Sequence, residues 1–340
     1  MKNNKRVTSK DVAKLAGVSQ STVSRVFNPN SDREVKENIK KVVLEAGKKL
    51  GYKPNIIARG LVSKKTNMIG IVVANPIGPF YSKIITELTS KLQQKEAQPL
   101  IFTLEEQEDI KKIIDKVLQY QVDGVIITSS ALSEKMADEC IENSLPTVLF
   151  NVYQKYNKIS CIYSDNIESG RIVAKFLVDT GHRNIAHVTY KKPAFTIIER
   201  KVGFYEELKK HGIEYIIEEN CDYTYEAGYE VGLRLIQRKN IPDGVFCVSD
   251  VIAMGVIDAI KNESNLRIPE DIAIIGFDDI PQASWKSYNL TTIHQPVELL
   301  IDKSVEALFK LINESNMEEI IEKVSTKIVA RKSTRKNNKS

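Results

Sequence analysis

Cysteine, tryptophan and histidine are scarce here: four, one and four residues respectively in a chain of 340. Cys140, Cys161, Cys221 and Cys247 lie far apart with no CxxC spacing. That pattern excludes a disulfide framework and a structural zinc site, and it suits a cytoplasmic chain. The histidines, His182, His187, His211 and His294, include no i, i+4 pair suited to a metal. No apolar run is long enough to span a bilayer. Residues 1–10 are polar and basic with no hydrophobic stretch behind them, so no signal peptide and no membrane partner are expected. There is no GxSxG elbow, no Walker-type phosphate loop and no GxGxxG after a strand. "GLVSKKT" (residues 60–66) follows no strand and has the wrong spacing for a phosphate loop. Asp278 and Asp279 are adjacent on a strand end and point different ways, which suits ligand bonding and loop capping better than catalysis. Neither an enzyme nor a cofactor is expected.

What is present is an uneven charge. Residues 1–65 hold 16 basic and 5 acidic side chains, a balance of +11, and the remainder holds 33 basic and 39 acidic, a balance of −6. A basic head on a mildly acidic body is the pattern of a polyanion-binding module joined to another domain. The length suits two or three domains, and 42% hydrophobic residues suit a packed soluble core.

The basic head has helical periodicity. Thr8 with Asp11 reads as an amino-terminal cap. Val12, Leu15 and Ala16 form the apolar stripe of a first helix that Gly17 ends. Ser19 can cap a second helix with Val23, Val26 and Phe27 turned inward, which Asn28-Pro29 stops. A third helix carries Ile39, Val42, Val43, Ala46 and Leu50 and ends at Gly51, with Gly47 expected to weaken it by roughly 1 kcal/mol relative to alanine. Helix, glycine turn, polar second helix and apolar third helix make a helix-turn-helix, whose second helix enters the DNA major groove. Arg25 can pair bidentately with guanine, worth roughly 1–3 kcal/mol of discrimination.

From Met68 the pattern turns to strand–helix alternation. "MIGIVVANP", "QPLIFTL", "DGVIITS" and "PTVLF" form one set, and "NIAHVTY", "EYIIEE", "DGVFCVSD" and "DIAIIGFDD" a second. Two such sets imply an α/β core of two doubly wound parallel-sheet lobes, with ligands at the carboxyl ends of the strands. The expected organisation is a headpiece over 1–54, a hinge helix and linker over 55–67, a two-lobed domain over 68–330, and a frayed polar tail over 331–340.

"VTSKDVAKLAGVSQSTVSRVFN", "KLGYKPNIIARGLVSKKTNMIGIVV", "DTGHRNIAHV", "IPEDIAIIGFDD" and "LTTIHQP" resemble the LacI/GalR family of bacterial transcription regulators, from Val7 to about Thr334. The resemblance implies an all-α headpiece on a periplasmic-binding-protein-like core, acting as a homodimer on operator DNA. It places Gln20 and Ser21 at variable base contacts and Arg25 at the recognition-helix arginine. Ser19, Thr22 and Ser24 fall at phosphate-contacting or supporting positions, and Ser9 and Asn28 at further DNA contacts. In the implied hinge helix, Asn55 joins the DNA contacts, Ala58 lets the two hinge helices pack, and Leu61 wedges into the minor groove. Val62 stands where some purine-type relatives have a lysine.

In the cleft, Phe80 and Tyr81 match aromatics that stack on a sugar, Arg200 a ligand-binding arginine, and Asp278 an acceptor for hydroxyls. Tyr223 and Gln295 take pocket-lining positions. Asn151 and Ser249 stand where many sugar-binding members have aspartate and asparagine. The implied function is a cytoplasmic repressor of a carbohydrate catabolic operon, controlled by a sugar or sugar phosphate between the lobes. The alternative is a global catabolite-control regulator with a phosphorylated carrier protein as co-repressor, a branch that "ARGLVSKKT" and "DYTYEAG" also resemble.

Overall fold

The computed structural model describes residues 7–27, 34–53, 65–74, 78–104, 110–128, 133–153, 159–191, 194–314 and 318–335. The chain divides into two compact units, Met1–Asn67 and Met68–Ser340.

Among the described residues of the first unit, three helices form: α1 (Ser9–Ala16), α2 (Gln20–Val26) and α3 (Glu37–Leu50). Thr8 starts α1 by donating from both its backbone nitrogen and its hydroxyl to Asp11 Oδ2, at 2.9 and 2.7 Å. Gly17 ends it in the left-handed region at φ +64°, a conformation that costs glycine little. Ser19 Oγ accepts from the Thr22 amide at 3.1 Å and so caps α2.

The small core buries Val12, Ala13, Val23, Val43 and Ala46, with Phe27, Ile39, Leu50 and Tyr52 packed against it. Two expectations fail here. Leu15 and Val42 are 47% and 48% exposed rather than in the stripe. Each stands about 100° around its helix from the residues that do face the core, Ala16 and Val43. Gly47 is also more than a weak point in α3. A Cβ there would lie 2.6 Å from the Phe27 ring, so the missing side chain is what admits that ring beneath α3.

The second unit contains two six-stranded sheets. The first lobe is built from β1 (Met68–Ala74), α4 (Pro79–Gln94), β2 (Gln98–Leu104), α5 (Ile110–Gln119), β3 (Gly124–Ile127), α6 (Ser133–Glu142), β4 (Thr147–Phe150) and β5 (Ser160–Ser164). The chain then crosses to α7 (Asn166–Asp179), β6 (Ile185–Tyr190), α8 (Phe195–Lys210), β7 (Ile217–Cys221), α9 (Tyr225–Ile236), β8 (Gly244–Cys247), α10 (Asp250–Glu263), β9 (Ala273–Asp278) and β10 (Thr291–His294). It returns through α11 (Val297–Asn313) to β11 (Ile321–Val324) in the first sheet, and ends in β12 (Lys327–Val329) in the second.

The strand orders are β11-β5-β4-β3-β1-β2 and β12-β10-β9-β8-β6-β7. All pairings are parallel except β10 with β12. The four-residue strands β3, β4 and β8 are buried throughout, as apolar strands covered on both faces must be. The lobes are therefore not two consecutive halves of sequence. They exchange chain at three connections, 164–166, 294–297 and 324–327, which sit at the carboxyl ends of β5, β10 and β11.

The expected frayed tail is contradicted over Arg331–Arg335. Ser333 Oγ donates to the Ile274 carbonyl at 2.6 Å and accepts from the Thr291 amide at 2.8 Å. Arg331 reaches Asp279 Oδ1 at 2.7 Å, and Ser333 and Thr334 are buried. This segment lacks apolar side chains because its hydroxyls bond the amino-terminal ends of β9 and β10 rather than filling a core.

Candidate functional site

Two arrangements carry the sequence-predicted residues. On α2, Gln20, Ser21, Ser24 and Arg25 are exposed at i, i+1, i+4 and i+5, one face of the helix, while Val23 is buried on the other. Gln20 Nε2 donates to Ser9 Oγ at 2.9 Å, tying α1 to α2. Ser19 Oγ lies 2.7 Å from Ser21 Oγ and 2.8 Å from Thr22 Oγ1, so the cap residue also organises its neighbours' hydroxyls. Such a face presents amides, hydroxyls and a guanidinium on a frame set by its buried side. Asn28, Asn55, Ala58, Leu61 and Val62 lie outside the described residues.

The second arrangement lies between the lobes at the carboxyl ends of the strands, where a doubly wound sheet binds ligands. Asn151 follows β4, Ser249 follows β8, Asp278 ends β9, and Gln295 starts the return connection. Asn151 Nδ2 donates to Gln295 Oε1 at 2.8 Å, and Gln295 Nε2 donates to Asp278 Oδ1 at 2.8 Å. Tyr223 donates to Asp278 Oδ2 at 3.3 Å. One hydrogen-bonded chain thus joins the first lobe to the second.

Asn151 and Asp278 hold φ values of +56° and +111°, and Asp279 holds +53°. Non-glycine residues adopt this region at a cost, and where they do so beside a cleft the turn is held by its surroundings. Here the holding groups are visible. Asp279 accepts from Arg331 and lies 2.8 Å from His294 Nδ1. The fully buried Asp250 accepts from the Ile280 amide at 2.9 Å and the Thr292 hydroxyl at 2.5 Å. Burial pushes the Asp250 carboxyl well above the usual range.

Arg200 is buried on α8. Its Nε donates to Asn166 Oδ1 at 3.0 Å, its Nη1 to the Val248 carbonyl at 3.2 Å, and its guanidinium carbon sits 3.5 Å above the centre of the Phe277 ring. Glycines at the crossing of α7 and α8 bring this helix close. A Cβ on Gly170 or Gly203 would fall 2.1 Å or 1.9 Å from a carbonyl oxygen of the facing helix. Phe80 packs against the cores of both lobes, and Tyr81 against the first. The two rings meet edge to face at 5.9 Å. Burial, and then the charge of Asp278, raise the Tyr81 phenol above its ordinary range. Burial likewise pushes Asp278 up to about 6, with Arg200, Gln295 and Tyr223 pulling the other way.

Ser249 is fully buried, and its hydroxyl accepts from the Ile252 amide at 3.3 Å as the cap of α10. Sequence reasoning missed Ser164 and Asn166. Ser164 donates from its hydroxyl to Gln295 Oε1 at 3.1 Å and from its amide to Asn151 Oδ1 at 3.1 Å. The signal was weak, because β5 reads "SCIYS", with only a short apolar centre. Among the described residues no group of three or more His, Cys, Asp or Glu could hold a metal, and no helix is long and apolar enough to cross a membrane.

A family profile described as "Bacterial regulatory proteins, lacI family" matches residues 8–55, and one described as "Periplasmic binding protein-like domain" matches residues 174–334. The chain is 33% identical to the HTH-type transcriptional repressor PurR of Pasteurella multocida, over 96% of this chain and 98% of that protein. It is 31% identical to catabolite control protein A of Priestia megaterium, over 97% and 99% respectively. The lac repressor dimer bound to operator and the anti-inducer ONPF superposes with a TM-score of 0.88 at 27% identity, covering 97% of this chain and 99% of that one. The α2 face, the two-lobed core and these relatives agree, and the chain belongs to the LacI/GalR family as a DNA-binding transcriptional repressor.

Proposed function

We propose that this repressor acts as a homodimer on the operator of a carbohydrate catabolic operon and is controlled by an unphosphorylated sugar held between the lobes. The observation that carries the reading is the chain Asn151–Gln295–Asp278–Tyr223, which spans both lobes and offers donors and acceptors side by side. Hydroxyls that both donate and accept match such a lining, and Phe80 and Tyr81 supply apolar ring faces. A phosphate fits less well. The Asp278 carboxylate would repel it, and Arg200 is already engaged by Asn166 and the Val248 carbonyl. Because Asp278 and Asn151 belong to different lobes, a ligand touching both has unequal affinity for different lobe arrangements. That inequality is what lets it shift an equilibrium coupled to DNA binding.

A planar nitrogen heterocycle is the second reading, favoured by two side-chain amides, Asn151 and Gln295, beside three aromatic side chains, and by the likeness to proteins named PurR. Calorimetry of the full chain with neutral sugars, their phosphates and purine bases separates the readings. Saturable binding of a neutral sugar, lost in Asp278→Asn, supports the first. Binding confined to the bases supports the second, and binding by no member of the panel refutes both.

A further inference from the structure

A separate cavity of about 470 Å³ lies on the second lobe, between α8 and the face of the sheet formed by β6 and the edge strand β7. Its walls are apolar, with Ile198 and Val202 on α8, which are 45% and 41% exposed, and Tyr190 at the end of β6. Its floor carries Thr189 and Asn220, directly opposite each other in the β6–β7 pairing. Neither of these two side chains has a hydrogen-bond partner among the described residues, although Thr189 is only 4% exposed.

The charged groups at the cavity are already matched. Lys201 pairs with Glu218 at 2.5 Å, Tyr205 donates to the same carboxylate at 2.6 Å, and Glu206 pairs with Arg171 at 3.1 Å. No unspent charge is left to select an ion. The volume falls within the range of sites for small organic molecules, which pair an apolar lining with a few convergent polar groups.

We propose that this cavity is a second small-molecule site, distinct from the cleft between the lobes, and that it takes an uncharged, mainly apolar ring compound with one hydrogen-bonding edge. The edge meets Thr189 and Asn220, and the ring lies against Ile198, Val202 and Tyr190. The cavity touches the cleft machinery in two ways. Lys201 and Arg200 are neighbours on α8, so one helix faces both sites. Tyr190 packs edge to face on Tyr223 at 5.9 Å, and Tyr223 bonds Asp278. Occupancy of the cavity therefore biases the residues that hold the cleft ligand.

The test uses the full-length protein and N-phenyl-1-naphthylamine, an uncharged fluorophore with one N–H. Expected is saturable binding at one site per chain, read as a fluorescence rise without DNA present. Ile198→Trp and Val202→Trp, both at half-exposed positions, should each fill the cavity and weaken binding by at least about tenfold while leaving operator binding intact. Thr189→Val, which removes one hydrogen bond, should weaken it about fivefold. Binding that survives both tryptophan variants places the probe elsewhere and overturns the proposal, as does the absence of saturable binding. A change in sedimentation caused by either variant also overturns it, since it would make this face a contact between copies of the chain. The coupling rests on the regulator reading and is measured separately. Saturating probe should move the operator-binding midpoint at least about fivefold by the scale of allosteric couplings, and no shift refutes the coupling while leaving the site.

Discussion

Replacing Asp278 with asparagine should stabilise the ligand-free protein while removing its main acceptor for a ligand. The carboxyl titrates at about 6 in the folded chain, against about 3.9 for an ordinary aspartate. Its folded pKa is raised, so the native state holds the proton more tightly than the unfolded chain does. Stability from this group is greatest below about pH 4, falls as pH rises through about 6, and is flat beyond that. Roughly two pKa units correspond to about 3 kcal/mol at pH 8, the cost of keeping an ionised carboxylate buried. Asparagine has no such cost and keeps one oxygen to accept from Gln295 or Tyr223. At roughly 2–4 °C per kcal/mol for a domain of this size, Asp278→Asn should raise Tm by about 6–12 °C at pH 8. The gain should halve by about pH 5 and nearly vanish by about pH 4, where the native carboxyl is already protonated. Thermal unfolding of both proteins, followed by fluorescence across that pH range without ligand, checks the sign and the slope. A variant less stable at pH 8, or a gain independent of pH, would show that burial of the ionised Asp278 carboxylate does not cost stability.

Other substitutions test the remaining parts. Gly47→Ala should destabilise the headpiece by about 1 kcal/mol, because overpacking against Phe27 at 2.6 Å outweighs the gain in helix propensity; denaturant unfolding followed by circular dichroism reads the sign. Ser19→Ala should cost about 1 kcal/mol of headpiece stability through loss of the α2 cap and weaken binding to all DNA alike. Arg25→Ala should instead relax base choice at one position by roughly 1–3 kcal/mol, which competition among operator variants reveals. Arg331→Ala should lower Tm, because it leaves Asp279 with one partner fewer at a strained turn; truncation after Val329 should do more.

Much of the headpiece is readable from sequence because its signals are local. Caps at Thr8 and Ser19 and the turn at Gly17 act within three or four residues. Helix phase failed locally at Leu15 and Val42, each one position off the buried face, and one feature was long-range, since only the fold reveals that Phe27 needs the space at Gly47. In the core, the apolar runs of β1, β3, β4, β6, β8 and β9 mark strands because parallel strands buried on both faces read as continuous hydrophobic stretches, while β2 and β7 are the exposed edges of their sheets. β5, β10, β11 and β12 escaped. β5 and β10 are buried but read as polar, "SCIYS" and "TTIH", whereas β11 and β12 are mostly exposed and pair with strands far away in sequence. The same cause hid Ser164 and Asn166, which meet Gln295 and Arg200 only after the chain crosses between lobes. The polar tail misled for want of apolar residues, whereas Ser333 is held by hydrogen bonds on both sides.

The most direct test of the account is fluorescence anisotropy of the full-length protein on labelled DNA from upstream of its own gene, with and without the sugar that calorimetry selects. Saturable, sequence-specific binding is expected. The sugar should shift the midpoint by 5- to 150-fold, about the span of typical allosteric couplings, and Asp278→Asn should abolish the shift while sparing DNA binding. Specific binding that the sugar leaves unchanged, or a shift that persists in Asp278→Asn, would contradict control by a cleft-bound sugar.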